Sequence, residues 1–222
     1  MMVRSFCFLI VFVMLVWALP AAGITISSTW DLPGDRDGWI CGNSADGYTG
    51  VITGGDPTAA VSWDPLNGGC LRLDDPAIQA GDFFIAAPQF LGDWSTGYSG
   101  GSITFDYKKS AAMARMPEIW IVSGADRWAA YTVFPSYADT EWHTYMVSLD
   151  AADWVHVDSG NPTTWEATLM NVTDFGILGD LKIGTETTYL DNVSLTLRPI
   201  PAPGAFLLVV LGTGVVASLR KS

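Results

Sequence analysis

Short runs of alternating apolar and polar residues predict the strands of this chain. In Ser102–Tyr107, the apolar residues Ile103, Phe105 and Tyr107 are separated by single polar residues. Trp142–Leu149 alternates in the same way. A period of two is typical of a strand with one buried face. The other predicted strands are an opening strand from Ile24, then Cys70–Asp75, Phe83–Ala86, Pro117–Ser123, Trp128–Phe134, Ile177–Ile183 and Tyr189–Leu197.

Two further segments have their own local patterns. Gly124-Ala125-Asp126 separates two strongly β-prone runs, which predicts a hairpin connection. In the segment Trp165–Phe175, the residues Trp165, Leu169 and Val172 recur at helical spacing. This spacing places them on one face of a helix, so we predict a short helix there.

The composition favours an all-β fold. The 222 residues include 23 glycines and 12 prolines, and aromatic residues make up 12% of the chain. Such a composition is typical of many short strands and turns rather than long helices. The net charge of −12, with only 11 lysines and arginines, argues strongly against a nucleic-acid-binding surface. It fits an extracellular protein that its carboxylates keep soluble.

Met1–Gly23 has the pattern of a secretory signal peptide. Arg4 supplies the positive start, Phe6–Leu19 is the apolar stretch, and small residues precede Ile24. We therefore expect the mature chain to begin near Ile24 and the protein to be exported. An uncleaved N-terminal anchor is the alternative.

The last part of the chain, 199–222, forms a separate module. A proline-rich segment precedes the apolar run Gly204–Leu219, which is followed by a basic end. Its sixteen residues would rise only about 24 Å as a helix, short against a hydrocarbon core of about 30 Å. The arrangement resembles the PEP-CTERM sorting signal of bacterial exported proteins, in a variant with alanine in place of glutamate. The motif residues are Pro201, Ala202, Pro203, Arg220 and Lys221.

The sorting resemblance implies two partners, an exosortase-type processing enzyme and the inner membrane. A simple C-terminal membrane anchor is the alternative. In either case the basic end is expected to stay cytoplasmic. The predicted location is the cell surface, the extracellular matrix or the membrane.

The central stretch Phe83–Tyr107 resembles the laminin B (laminin IV type A) domain. It holds an aromatic pair, Ala-Pro, Gln-Phe-Leu-Gly-Asp and Tyr-Ser-Gly-Gly before a strand. The closing run Tyr189–Leu195 resembles the end of that family and the final strand of many jelly-roll sandwiches. The resemblance implies a jelly-roll-like, galactose-binding-like antiparallel β-sandwich over residues 24–198. It also implies a non-catalytic adhesion or interaction module, associated with a surface or matrix.

Cys41 and Cys70 are the cysteines left once the signal peptide, with Cys7, is removed. In an oxidising compartment an even pair suggests a disulfide. Two reduced, buried thiols are the alternative.

Two aspartates are candidates for a calcium site. In jelly-roll sandwiches that resemble this chain, Ca²⁺ commonly ties the N-terminal segment to the last strand. The resemblance implies Asp191 as one ligand, and Asp31 is a plausible companion, with backbone carbonyls completing the oxygen shell. Alternatively, Asp191 caps a strand turn through its side chain.

Ten tryptophans raise the alternative of a carbohydrate-binding module on the same sandwich, with an extracellular polysaccharide as partner. Trp94, Trp128 and Trp154 lie near predicted loops and are expected to be the exposed ones. The alternative is that most of the ten fill the core.

Catalytic motifs are missing from the sequence. His143 and His156 are the two histidines, and His143 falls within an alternating strand. The chain has no nucleophile elbow, zinc-protease motif or P-loop. A hydrolase with two carboxylates stays open, since 23 acidic residues make accidental pairs inevitable. We predict a protein that is not an enzyme.

Overall fold

The computed structural model describes residues 23–44, 52–53, 61–75, 82–112, 116–157, 163–179 and 186–198. The predicted signal peptide and the predicted sorting tail lie outside the described residues. The compact unit that contains the described strands spans Ile24–Arg198. No helix among the residues described is both long and apolar enough to span a membrane.

Antiparallel strands make up about half of the described chain. In order they are β1 (Ile24–Ser28), β2 (Ile40–Ser44), β3 (Ile52–Thr53), β4 (Val61–Asp64), β5 (Cys70–Asp75), β6 (Asp82–Ile85), β7 (Ser102–Lys109), β8 (Ile119–Ser123), β9 (Asp126–Ala130), β10 (His143–Ser148), β11 (Val155–His156), β12 (Asp174–Leu178) and β13 (Glu186–Leu197). A short α-helix, α1, spans Trp165–Leu169.

The strands form two sheets. Sheet A has six strands in the order β10-β7-β13-β5-β4, with β1 paired to the second half of β13. Sheet B has seven strands in the order β11-β9-β8-β12-β6-β2-β3. The predicted all-β fold with an antiparallel β-sandwich is therefore confirmed.

The core lies between the sheets and is rich in aromatic rings. Phe175 of sheet B meets Trp39, Phe90 and Trp94, with ring centroids about 6 Å apart. Trp39 donates its indole N–H to Ser28 Oγ of β1, which joins this cluster to sheet A. Aromatic pairs of this kind add about 0.5–1.5 kcal/mol each beyond the area that they bury.

The β8–β9 hairpin is present as predicted. Gly124 occupies the turn with φ 61°, a left-handed conformation that glycine adopts without steric cost. The predicted strands in Ser102–Tyr107 and Trp142–Leu149 are also present, as β7 and β10.

The predicted helix Trp165–Phe175 is too long. It ends at Leu169, and β12 begins at Asp174. Trp165, Leu169 and Val172 are all buried as the pattern predicted, but only Trp165 and Leu169 lie on the helix. The chain leaves the helix because its next residues form β pairings: Val172 exchanges backbone hydrogen bonds with Gly92 in an isolated bridge, and β12 then pairs with both β6 and β8. The predicted strand Ile177–Ile183 is shifted for the same reason, and residues 180–183 lie outside the described part.

Cys41 and Cys70 are buried thiols, so the predicted disulfide is wrong and the alternative holds. Cys41 shares a register row with the core residue Phe84 in sheet B and faces inward. Cys70 precedes the inward-facing Leu71 in sheet A, so it faces the opposite way, away from the core. Side chains that point apart from opposite sheets cannot form a disulfide. Burial, and next the nearby Asp64, raises the pKa of the Cys70 thiol to about 12.

Candidate functional site

The outward-facing residues of sheet A form a polar, partly exposed surface, which we call the outer face of sheet A. In β7 the inward residues are buried, and the outward residues Ser102, Thr104, Asp106 and Lys108 are half-buried. Neighbouring strands are in register with β7, so their outward residues continue the same surface. This face carries hydroxyls, carboxylates and the cationic groups of Lys108 and Arg72.

One row across this face holds two aromatic rings. Tyr189 of β13 pairs in register with Lys108 of β7 on one side and with Arg72 of β5 on the other. Trp142 directly precedes β10 and continues the row beyond Lys108. We call these four residues the aromatic row. All four are half-buried.

The rings of Trp142 and Tyr189 meet above the strand that separates them. Their centroids are 6.4 Å apart and their planes are inclined by 57°. The strands that carry them flank β7 and are therefore about 9–10 Å apart, so the rings lean toward each other. The result is a bent apolar platform within a polar face.

Hydrogen-bonded carboxylates lie on both sides of the aromatic row. Asp106 accepts from Thr144 Oγ1 at 2.5 Å and from Asn192 Nδ2 at 2.8 Å. Asn192 reaches it from a β-bulge in β13, where its φ is 50°. A carboxylate has about four acceptor sites, so Asp106 retains capacity for a ligand donor.

On the other side of the row, Asp74 accepts from Arg72 Nε at 2.9 Å and from Thr187 Oγ1 at 2.7 Å. The hydrogen bond to Asp74 is the main reason that the pKa of Arg72 is raised. These contacts fix the orientation of the guanidinium beside Tyr189. The aromatic platform is thus bordered by polar groups whose positions are set within the protein.

Two of the tryptophans predicted to be exposed are buried. Trp94 is 1% exposed and Trp154 is 4% exposed. Their indole N–H groups donate to the backbone, Trp94 to Phe90 O at 3.0 Å and Trp154 to Ser148 O at 2.8 Å. A loop position in the sequence therefore led to a wrong expectation of exposure, because both rings turn inward to reach these carbonyls.

Trp128, the third predicted residue, is half-buried. Its ring packs against Trp165 at 5.2 Å and His156 at 5.1 Å, and its N–H donates to Thr168 Oγ1. It faces the core side of sheet B beneath α1 rather than an outer face. The three predicted tryptophans therefore do not form one surface.

Sequence reasoning missed Trp142 and Tyr189, although a signal was present. Both occupy the polar phase of an alternating strand: Trp142 shares its face with Thr144, and Tyr189 shares its face with Thr187. A large aromatic residue at a position that faces solvent is a better indicator of a binding surface than an aromatic residue near a loop.

Asp191 lies on the same face but is 3% exposed. It accepts from Asn67 Nδ2 at 2.9 Å and from the backbone N–H of Asn192 at 2.8 Å. Burial is the main cause that raises its pKa, and the charges of Asp106 and Asp31 raise it further. The predicted pair Asp31 and Asp191 is thus close enough to interact electrostatically.

Asp31 itself is exposed and accepts from Thr29 Oγ1 at 2.7 Å. In the part of the chain that the structure describes, no group of three or more histidine, cysteine, aspartate or glutamate side chains could hold a metal ion. A calcium ion beside Asp191 would therefore need amide and carbonyl oxygens, which Ca²⁺ accepts as ligands. Asn67 turns its amide nitrogen, a donor, toward Asp191, so backbone carbonyls are the candidates for these ligands.

The two histidines have structural partners. His143 Nε2 lies 2.6 Å from Asp139 Oδ1, and its imidazole stacks on Tyr137. The His156 ring packs edge-on against Trp128. Both rings are thus part of side-chain packing.

Comparison with known proteins defines the fold class. The chain is similar to the L4b domain of human laminin α-2, with a TM-score of 0.54 and 10% identity, over 80% of this chain and 99% of that one. It is similar to a family 30 carbohydrate-binding module, with a TM-score of 0.52 and 14% identity, over 81% of this chain and 90% of that one.

A second family 30 module, from a cellulosomal cellulase of Clostridium thermocellum, has a TM-score of 0.52 and 14% identity, with 78% of this chain and 98% of that one covered. No protein-family model and no curated protein matches the chain. The chain is therefore a β-sandwich of the kind found in laminin and in carbohydrate-binding modules.

Proposed function

We propose that this protein is an exported, non-catalytic adhesion module that binds an extracellular polysaccharide through the outer face of sheet A. The observation that carries the proposal is the Trp142–Tyr189 platform within a polar face. Sugars present an apolar C–H face and a rim of hydroxyls. The aromatic rings match the first, and the carboxylates and hydroxyls around them match the second.

The arrangement of carboxylates supports binding rather than hydrolysis. A glycosidase needs two carboxyl groups that flank the scissile bond, one of them with a raised pKa. On this face the carboxyl with a raised pKa is Asp191, which is 3% exposed and hydrogen-bonded to Asn67. A substrate on the aromatic row would not reach it, so we expect retention of glycans without turnover.

A polysaccharide panel tests the proposal. The protein is assayed by affinity electrophoresis, and Trp142→Ala and Tyr189→Ala are compared with Met170→Ala, a control at a 62%-exposed position next to α1. We expect retardation by at least one polysaccharide, lost in both row variants and kept in the control. Retardation that survives both row variants would place the ligand elsewhere, and product formation would indicate a hydrolase.

A surface protein is the second candidate partner. Met146 is 65% exposed and shares the outward phase of β10 with Thr144. Exposed methionines are common at binding surfaces that accept several partners. Cross-linking on intact cells through a photo-reactive group at position 146 would identify such a partner, and a polysaccharide-only adduct would exclude it.

Export and sorting complete the proposal. We propose that Met1–Gly23 is removed and that an exosortase-type enzyme at the inner membrane recognises and processes the tail of 199–222. Intact mass of the protein from its native cells tests this. A mature chain that starts near Ile24 and ends near Pro203 is expected. A chain that keeps its tail in the membrane fraction would contradict sorting and leave a simple anchor.

We also propose a calcium ion beside Asp191, with Asp31 and backbone carbonyls as further ligand candidates. The support is the buried, incompletely compensated carboxylate, whose charged form a divalent cation would stabilise. The role of the ion would be structural, tying the N-terminal segment to β13.

A further inference from the structure

The connection from β9 to β10, residues 131–142, delivers Trp142 to the aromatic row. It passes from sheet B to sheet A and ends where β10 pairs with β7. The position of Trp142 therefore depends on how the end of this connection is fixed.

Two consecutive lysines of β7 hold the end of this connection from opposite sides of the strand. Lys108 Nζ donates to the carbonyl of Thr140, and Lys109 Nζ donates to the carbonyl of Tyr137. Successive side chains of a strand point to opposite faces, so Lys108 contacts the connection from the outer face and Lys109 contacts it from the core side. We call this pair the lysine clamp.

Lys109 is buried, which is unusual for a lysine. It is 3% exposed, and burial lowers the pKa of its ammonium, an effect that the charges of Asp139 and Glu186 oppose. Burial of a lysine costs free energy unless its donors are satisfied. The carbonyl of Tyr137 is one of the acceptors that offset this cost.

A second set of contacts closes the same segment around Trp142. The His143 imidazole lies parallel to the Tyr137 ring, with centroids 3.6 Å apart, and its Nε2 lies 2.6 Å from Asp139 Oδ1. Asp139 Oδ1 also accepts from the backbone N–H of Glu141 at 3.0 Å. The residues on both sides of Trp142 are therefore held.

We propose that the lysine clamp, together with the His143–Asp139–Tyr137 contacts, is a positioning device that holds Trp142 against Tyr189 before any ligand arrives. This proposal rests on the proposed function for its consequence, because a preformed platform reduces the ordering cost of binding. Lys109 lies on the core side and cannot touch a ligand on the outer face, so its effect on affinity must pass through the connection.

The test compares Lys109→Met and Asp139→Ala with Arg198→Met, a control that removes an exposed cation after β13. Lys109→Met keeps side-chain length but removes the donor, and Asp139→Ala serves if Lys109→Met does not fold. The first readout needs no ligand: the indole N–H resonance of Trp142, assigned with Trp142→Phe, with that of the core residue Trp94 as internal control. The second readout is affinity for the polysaccharide retained by the wild type.

We expect the Trp142 resonance to shift or broaden in Lys109→Met and Asp139→Ala while that of Trp94 stays in place. We expect affinity to fall about three- to tenfold, the ordering cost of one aromatic side chain and its segment. The control variant should match the wild type in both readouts.

An unchanged Trp142 resonance in both Lys109→Met and Asp139→Ala would overturn the proposal. A shifted Trp142 resonance with unchanged affinity would also overturn it. Failure of the wild type to bind any polysaccharide is a separate result. It would contradict the proposed function, and the ligand-free resonance would still decide whether the clamp positions Trp142.

Discussion

The outer faces of the two sheets differ in kind. On sheet B one register row crosses six strands and is almost entirely apolar: Val155, Ala129, Trp120, Gly176, Ile85 and Ile40. Trp120 is 6% exposed and meets the ring of Phe83, also outward-facing, at 6.2 Å. On sheet A the corresponding aromatic row is half-buried and bordered by charged groups.

This difference shows that an aromatic residue on an outer face does not by itself indicate recognition. Trp120 is buried and lies among apolar neighbours, so its contribution is packing. Trp142 and Tyr189 are accessible and lie among hydrogen-bonding groups of fixed orientation. The surroundings of the ring, rather than the ring itself, favour sheet A as the binding face.

The largest expected effect is a difference in the free energy of unfolding between variants of the two faces. Trp120→Ala should reduce the free energy of unfolding by about 3–5 kcal/mol, the usual cost of removing a buried tryptophan. Trp142→Ala should cost less than about 1 kcal/mol, since its ring is only half-buried. Urea unfolding measures both.

Trp120→Phe provides a matched control for this experiment. The Trp120 indole N–H is buried and has no acceptor among the described residues, so phenylalanine loses no hydrogen bond there. We expect a smaller loss of stability than for alanine. Equal costs for Trp120→Ala and Trp142→Ala would remove the distinction between the two faces.

Asp191 is a buried carboxylate on the outer face of sheet A, where the carboxylates Asp74 and Asp106 are only half-buried, and calcium would explain it. If Ca²⁺ binds there, a concentration of 100 times its Kd should stabilise the fold by about 2.7 kcal/mol. Thermal unfolding in calcium against a chelator measures this gain. In Asp191→Asn the gain should disappear, whereas the exposed Asp150→Asn should keep it. A wild type whose Tm ignores calcium would contradict the site.

A pH titration probes the segment that carries Trp142. The hydrogen bond from His143 is the main cause that lowers the pKa of Asp139, with the Glu141 backbone N–H next. Because the pKa of Asp139 is lowered in the folded state, its ionised carboxylate stabilises the fold. This stabilisation is complete above about pH 4 and is lost as the pH falls through the lowered pKa. Amide hydrogen exchange at Glu141–His143 should accelerate over that range.

The matched variant for this titration is Asp139→Asn, which has no carboxyl group to titrate. Its exchange rates at Glu141–His143 should vary less with pH after correction for intrinsic exchange. If the wild type and the variant have the same pH profile, Asp139 does not hold the segment.

The smallest expected effect concerns the cysteines. Because Cys41 and Cys70 face away from each other, a reducing agent should leave the Tm unchanged within about 1 °C. Alkylation of the unfolded protein without prior reduction should add two labels to the mature chain. A single mass that accepts no label would show a disulfide and a different register of β2 or β5.

Much of the fold was predictable because it follows from local alternation. The strands β7 and β10 follow directly from period-two patterns, and the β8–β9 turn follows from Gly124. The sandwich needs little more than these strands and their apolar faces. Long-range pairing, by contrast, ended the helix after Leu169 and gave residues 174–178 to β12.

The candidate site was less predictable because it depends on register between distant strands. Trp142 and Tyr189 are 47 positions apart in the sequence and meet only because β10 and β13 both pair with β7. The inward turn of Trp94 depends likewise on a carbonyl acceptor that no sequence pattern shows. The directions in which Cys41 and Cys70 face, which rule out a disulfide between them, also depend on the strand register.

Titration of the protein with the polysaccharide that retains it best is the most direct test of a glycan-binding face on sheet A. We expect Trp142→Ala to weaken binding by about 10- to 100-fold, as for a central aromatic contact. Met170→Ala and Trp120→Phe should bind like the wild type. If Trp142→Ala retains full affinity while Trp120→Phe loses it, the glycan binds to sheet B and the proposed binding face on sheet A is wrong.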